Sequence, residues 1–324
     1  MKELQLSRFD DIRPLNNSEV PQAIEELLDN PEFKQAVQAV LPEIGWEDFT
    51  NLFRSYKTKE DMKSDLSYKG VMKVASDTTF SLTASGKSRL PNMPCTFVSN
   101  HRDIVLDASF LNVLLYDMDK RLTQVAIGDN LLIRPWIKTF VRLNNSFIVK
   151  RGLSVREGFQ ASKDLSAYIR YAIKEEKESI WIAQREGRAK DSNDRTQVSL
   201  LKMLSLSSDL EFRESLCELN IVPVSISYEY DPCDYLKAAE FQLKRDNPSF
   251  KKTPYDDLLS MKTGITEYKG RVHFAVGNLI NEQLKQIPTE LHKSEVLQIA
   301  ATIIDQDIFS RYRFYPGNYV AYDL

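Results

Sequence analysis

The chain has 324 residues, 42% hydrophobic and 27% charged, which fits a globular protein of one large domain with an accessory region, or of two small domains. Lys and Arg number 43 against 46 Asp and Glu, a net charge of −3, so no nucleic-acid partner is expected and any basic patch must be local. Cys95, Cys217 and Cys233 are odd in number and far apart; they form neither a disulfide framework nor a metal-ligand spacing, and no metal is expected.

The opening stretch MKELQLSRFDDIRPL has no apolar run and carries acids early, unlike a secretory signal. A spanning helix needs about 20 apolar residues, and stretches such as Phe110 to Tyr116 are far shorter. A cytoplasmic protein is expected, with any membrane contact peripheral and on the inner face. Residues 1–75 read as a helical accessory region. Ser18 to Leu28 opens with a cap-like Asn-Ser, has Pro21 in its first turn, and repeats Ile24, Leu27 and Leu28 at helical spacing. Pro31 opens a second helix that Pro42 stops, and Glu47 to Tyr56 and Asp61 to Val74 continue the pattern.

From about Phe80 the rhythm changes. Short β-branched or aromatic runs (Thr96 to Ser99, Thr123 to Ile127, Phe147 to Val149, Ile180 to Ala183, Ile221 to Tyr228, Val272 to Val276) alternate with longer amphipathic ones. One of these, Val155 to Glu176, carries Phe159, Leu165, Ile169 and Ile173 on one side. Strands alternating with helices predict an α/β domain, residues 76–285, built on a largely parallel central sheet flanked by helices. Residues 286–324 supply one more helix, through Val296, Ile299, Ile303 and Ile304, and the aromatic run FYPGNYVAYDL.

Of three histidines, His273 lies mid-strand in RVHFAV and reads as packing, and His292 in ELHKSE reads as exposed. His101 differs, because it follows the apolar strand CTFVS directly, and ligands gather at the carboxyl ends of strands in an α/β sheet. A neutral histidine there can take a proton from a hydroxyl if a carboxylate holds its other nitrogen; Asp103 and Asp107 are the candidates. Two further strands end in cations: FIVKRG supplies Lys150 and Arg151, and IWIAQREGRAK supplies Arg185, Arg188 and Lys190 around Glu186 and Gly187. An Arg fork grips phosphate bidentately and Lys adds a point charge. A base beside several cations asks for an anionic substrate with a hydroxyl to activate. Pro223, early in IVPVSISYE, predicts a strand edge or a bulge.

In this order, the segments around His101, Arg151, Glu186 and Pro223 resemble the four motifs of the glycerol-phosphate and 1-acylglycerol-3-phosphate acyltransferase family, over Phe97 to Tyr228. With the FDDIRP opening and the NHRDIVLD core, the chain looks like a branch known from Bacteroidetes-type bacteria. The resemblance implies the glycerolipid acyltransferase fold behind an N-terminal helical region. It also implies transfer of a fatty acyl group from an acyl thioester to a hydroxyl of glycerol-3-phosphate or lysophosphatidate in phospholipid biosynthesis. It makes His101 the base, gives Lys150, Arg151, Glu186, Gly187, Arg188 and Lys190 to acceptor and phosphate binding, and gives Pro223 to the pocket. No cofactor is implied; acyl-coenzyme A or acyl carrier protein is the co-substrate. The implied partners are the lipid precursor, acyl carrier protein and a membrane surface.

Two departures stand out. The family places its Asp five positions after His, whereas Asp107 is six after His101, a rotation of about 100° on a helix. Either a bulge restores the pair or Asp103 takes the role, and the flanking LDASFL favours Asp107. The third motif also lacks its Thr, so that Lys190 is left to supply a second cation. Backbone N–H groups at the start of the next helix are candidate oxyanion donors. Trp136, Ile137, Phe140 and Val141, flanked by Arg134 and Lys138, are candidates for an acyl groove or an interfacial face, beside the plainer reading of a core helix. The alternatives are an O-acyltransferase acting on a lyso-amino-acid lipid and, in a different class, a non-catalytic lipid- or phosphate-binding protein. A nucleotide-binding fold is disfavoured, since no Gly-rich phosphate loop follows a strand.

Overall fold

The structure, a computed structural model, describes residues 7–190 and 193–323. Residues 1–6 of the opening stretch and Leu324 of the aromatic run lie outside the described residues. The strands are β1 (Ser81–Ser85), β2 (Thr96–Ser99), β3 (Thr123–Gly128), β4 (Ser146–Val149), β5 (Ser179–Ala183), β6 (Ile221–Tyr228) and β7 (Arg271–Val276). The pairs β1/β7, β2/β5, β2/β6 and β3/β4 are parallel and β6/β7 is antiparallel. The fold is therefore α/β with a mostly parallel sheet flanked by helices, as the alternating pattern predicts. No described helix is long and apolar enough to cross a membrane.

The chain divides into two compact units, and the division is not the linear one drawn at 75 and 285. Residues up to Lys73 and Gln124–Gly152 form the first unit; Val74–Thr123 and the residues from Leu153 onward form the second. In the first unit, Asn30 caps the helix Pro31–Val40 by accepting from the Glu32 and Phe33 N–H groups. That places Phe33 at the centre of an aromatic cluster, its ring centroid 6.2 Å from Phe49, 5.9 Å from Phe53, 5.8 Å from Trp136 and 5.7 Å from Phe140. Trp136 and Phe140 lie on the helix Pro135–Leu143, which explains why residues 124–152 join the N-terminal helices. Trp136 also donates its Nε1–H to Glu32 at 3.0 Å. These two rings therefore pack, partly buried, against the core of this unit.

In the second unit the strands run in the order β1-β7-β6-β2-β5. Every residue of β6 is buried, and the strand is central, not an edge as Pro223 suggests. The proline is tolerated because its backbone faces the place where the neighbouring chain leaves β7. The antiparallel ladder begins only at Val224↔Val276, and the Pro223 carbonyl accepts from the Gly277 N–H at 2.8 Å. The missing N–H falls where no ladder bond is required. The helix Val155–Lys174 starts on a Ser154/Glu157 capping box and buries nothing before Leu165, which leaves Phe159 exposed.

Candidate active site

β2 stops at Ser99, and the parallel registers set Ser99 beside Ala183 of β5 and Val224 of β6. The residues that follow these strands therefore meet at one end of the sheet. Buried Asn100 continues the pairing with its side chain. Its amide donates to the Ile226 carbonyl at 2.9 Å and accepts from the Ile226 N–H at 2.8 Å, fixing the backbone just before His101. Asp103 then starts the helix Leu106–Asp117, its Oδ1 accepting from the Val105 and Leu106 N–H groups, each at 2.8 Å.

Asp107, wholly buried in the first turn of that helix, meets the histidine: His101 Nδ1 and Asp107 Oδ2 are 2.8 Å apart. The same oxygen accepts from the Arg102 N–H at 2.6 Å and the Asp103 N–H at 3.0 Å. A carboxylate oxygen with two donors already on it takes a third, so Nδ1 carries a proton, and in the neutral ring the lone pair falls to Nε2. Trp181 backs the imidazole edge-on at 5.6 Å between centroids, its indole held by an Nε1–H bond to Ser99 Oγ at 3.0 Å. The His101 side chain is 14% exposed, open enough for a substrate to reach.

The spacing puzzle disappears because residues 100–105 are not helical. A rotation argued from helical geometry does not apply to them, and the chain curls so that Asp107 faces back to His101. The same curl commits four of the candidate oxyanion donors, since the N–H groups of Arg102, Asp103, Val105 and Leu106 all bind the two carboxylates.

Asp103 plays a different part. It is buried, its Oδ2 has no hydrogen-bond partner among the described residues, and burial with Asp107 nearby pushes its carboxyl above the ordinary range. Gly264, in the helix Pro254–Thr266, lies directly against it, and any Cβ there would overlap Asp103 Oδ2. Asp103 cannot swing aside while two N–H groups hold Oδ1. Gly264→Ala should therefore destabilise the fold by ~1–3 kcal/mol, the usual range for overpacking. An unchanged denaturation midpoint would contradict this packing.

The cations separate into distinct settings. Arg188 is buried, lies within electrostatic reach of Asp103, and leaves Nη1 without a partner among the described residues. Lys190 Nζ is 3.0 Å from Glu240, a carboxylate it shares with Lys244 and Lys252. Glu186 is exposed, its N–H donating to Gln197 Oε1 at 2.8 Å, and Gly187 supplies the left-handed turn (φ 69°) that a side chain would strain. Pro223 sits in β6 as described. Lys150 and Arg151 belong to the first unit: Lys150 pairs with Asp11 at 3.2 Å, and the Arg151 N–H donates to Asp129 at 3.1 Å.

Several neighbours of His101 left no sequence signal. Arg102 donates to the Tyr312 hydroxyl, lies 5.3 Å from that ring, and sits 3.2 Å from Asp194. Asp194 is buried, and its carboxyl is pushed up by that burial against the opposing pull of Arg102, Arg185 and His101. Thr196 anchors the Asp194 loop, its N–H and hydroxyl each donating to Asp305 at 2.7 Å. Lys237 pairs with Asp231 and donates to the Arg102 carbonyl at 2.8 Å. Buried Tyr228, with Asp107 and Asp103 nearby, has its phenol raised well above the ordinary range and stays protonated. Arg102 adjoins His101 and Tyr228 closes the strand of the fourth motif; the others come from distant segments without periodicity or motif.

The other two histidines and the three cysteines are structural. His292 caps the helix Lys293–Ser310. His273 is buried, with Thr83 Oγ1 at 2.8 Å and Ser85 Oγ at 2.9 Å, and burial, then Arg313, depresses its pKa to about 4. Between pH 6.5 and 4 the unfolded chain takes up a proton that the folded one refuses, so stability falls as pH falls through that window. The denaturation midpoint of the wild type should drop across it more steeply than that of His273→Gln; equal slopes would contradict the assignment. Burial pushes the Cys95 thiol up to about 12 and also raises Cys217 and Cys233, so none of the three is an activated thiolate.

Residues 81–227 match the acyltransferase family model. No curated protein matches in sequence. Among solved structures, a 1-acyl-sn-glycerophosphate acyltransferase, PlsC, from Thermotoga maritima aligns at 9% identity over 90% of this chain and 96% of its own, with a TM-score of 0.43. Chloroplast FtsY from Physcomitrella patens aligns at 13% identity over 82% and 90%, with a TM-score of 0.26.

Proposed function

From the match of residues 81–227 to the acyltransferase family model, we propose that the protein transfers a fatty acyl group from a thioester to a hydroxyl of an anionic glycerolipid precursor. The observation that carries this reading is the His101–Asp107 pair at 2.8 Å, at the carboxyl ends of parallel strands, with buried Arg188 within electrostatic reach of Asp103 and keeping an N–H uncommitted among the described residues.

In this mechanism Nε2 of His101 takes the acceptor hydroxyl proton as the oxygen attacks the thioester carbonyl carbon. Asp107 stabilises the imidazolium that forms. The tetrahedral oxyanion collapses, the C–S bond breaks, and the departing thiolate takes the proton back from His101. The ester and the free thiol leave, and no acyl-enzyme forms, in keeping with three cysteines raised out of the thiolate range. Arg188 is the cation best placed to hold the acceptor anion. Glycerol-3-phosphate and lysophosphatidate are the acceptors that fit, the donor is acyl-coenzyme A or acyl carrier protein, and the enzyme works at a membrane surface without spanning it.

The test is thiol release from acyl-coenzyme A and acyl carrier protein thioesters, with glycerol-3-phosphate, lysophosphatidate and a lyso-amino-acid lipid offered in turn. Release that requires one of the phosphate-bearing acceptors supports the proposal. Release with the amino-acid lipid alone would move the acceptor to a carboxylate-bearing class. No release from folded protein that still binds lysolipid would make it a binding protein.

A further inference from the structure

We propose that the exposed aromatic side chains at the His101 end of the sheet, Phe80, Tyr230, Tyr268, Phe314, Tyr319 and Tyr322, form a face that docks on a phospholipid surface. The proposal rests on the acyltransferase reading only for its purpose; the face itself follows from register and packing.

The registers place the first three rings. β6 ends at the same end of the sheet as β2, since Ser99 pairs with Val224, and β7 begins there, with Val272 opposite Tyr228. β1 begins beside it, with Ser81 opposite Arg271. Phe80, Tyr230 and Tyr268 flank these ends. The Phe80 N–H donates to the Gly270 carbonyl at 2.7 Å, the Tyr230 N–H to the Lys269 carbonyl at 3.1 Å, and the rings of Tyr230 and Tyr268 are 6.1 Å apart. All three are more than half exposed.

The segment after the helix Lys293–Ser310 brings the other three. Its Arg313 N–H donates to Ser227 Oγ at 2.9 Å, and Tyr315 is buried 4.8 Å from the guanidinium of Arg271, which Glu229 holds at 2.7 Å. The helix Pro316–Asp323 that follows buries no residue and shows Tyr319, Val320 and Tyr322 to solvent, the last of them 89% exposed. A helix this short with no packed face is marginal in water and gains stability only from a partner. Rings run from Tyr312 to Phe314 to Tyr319 at 5.8 and 6.2 Å, and Tyr312 holds Arg102 beside His101. The exposed rings thus lead to the catalytic loop.

The chemistry favours lipid over protein. Tyrosine dominates the face, and at a lipid–water boundary its ring enters the apolar side while its hydroxyl stays among headgroups. Glu229 is neutralised by Arg271, at 2.7 Å. Arg313 has no ion pair among the described residues and suits an anionic headgroup. A second copy of the chain or an acidic carrier protein would also cover aromatic surface, and the experiment separates them.

Wild type and Phe314→Ser/Tyr319→Ser/Tyr322→Ser are sedimented with vesicles of phosphatidylcholine and phosphatidylglycerol in equal parts. The triple variant should bind roughly tenfold more weakly or worse. It should also keep wild-type turnover on glycerol-3-phosphate with a short-chain thioester while losing turnover on vesicle-embedded lysophosphatidate. Arg313→Glu should weaken binding to the mixed vesicles and leave binding to pure phosphatidylcholine unchanged. Equal sedimentation of wild type and triple variant would overturn the proposal, as would a wild type that binds no vesicle. A dimer in sedimentation velocity that the triple variant disperses would likewise overturn it and assign the face to a second copy. Vesicle binding is read without turnover, so ring-dependent binding by a protein that transfers no acyl group would sink the activity and leave the surface standing.

Discussion

Replacing His101 with alanine should lower turnover by ~100-fold or more while leaving the fold intact, the usual scale for loss of a general base. The argument is geometric before it is electrostatic. Asn100 fixes the backbone on one side of His101, Asp107 fixes Nδ1 on the other, and Trp181 backs the ring. Neither of the other histidines belongs to that arrangement. His273 is locked between two hydroxyls and His292 caps a helix in solvent. The imidazole is partly exposed, so water can take its place beside Asp107, which keeps the Arg102 and Asp103 N–H bonds, and the variant should remain folded. Turnover within a few-fold of wild type, from a variant with an unchanged midpoint, would remove His101 from the chemistry.

Asp107→Asn should be nearly as damaging, again ~100-fold or more, because a neutral amide does not stabilise the imidazolium formed during transfer. Its oxygen can still accept the Arg102 and Asp103 N–H bonds, so the loop should keep its shape and KM should change less than kcat. Asp103→Asn is the internal control. The bonds Asp103 makes go through Oδ1 to two backbone N–H groups, which an amide oxygen accepts equally, and its Oδ2 has no partner to lose. That variant should stay within about tenfold of wild type, since it leaves the base and its partner untouched. A larger loss from Asp103→Asn than from Asp107→Asn would reverse the two assignments.

How far the sequence reveals this molecule depends on whether the signal is local. β2 and β6 are legible to the residue because buried parallel strands read as apolar runs bounded by turns. β1 is not: SLTAS is short and polar, and its strand character comes from pairing with β7, nearly 200 residues away. The helices Asp234–Asp246 and Pro254–Thr266 carry weak amphipathic patterns, yet they bring Lys237 to the Arg102 carbonyl and Gly264 to Asp103. The site shows the same split. His101 and its two acids are neighbours in sequence and could be singled out together. Choosing between the acids required the non-helical path of residues 100–105, which no periodicity encodes. Pro223 misleads for a related reason, since a proline forbids only the ladder bond it would have donated, and here the partner strand has already turned away. Asp194 and Tyr312 reach Arg102 from loops whose composition resembles any polar linker.

The most direct test of the central claim is the identity of the acyl product. Purified protein is incubated with an isotope-labelled acyl thioester and the favoured acceptor, and the organic phase is resolved by mass spectrometry for wild type and His101→Ala. The account predicts that the label appears as an ester of the acceptor, in proportion to thiol released, and that both fall together in the variant. Label recovered as free fatty acid at a rate independent of acceptor would show a hydrolase, in which water and not a lipid hydroxyl meets His101, and would contradict the account.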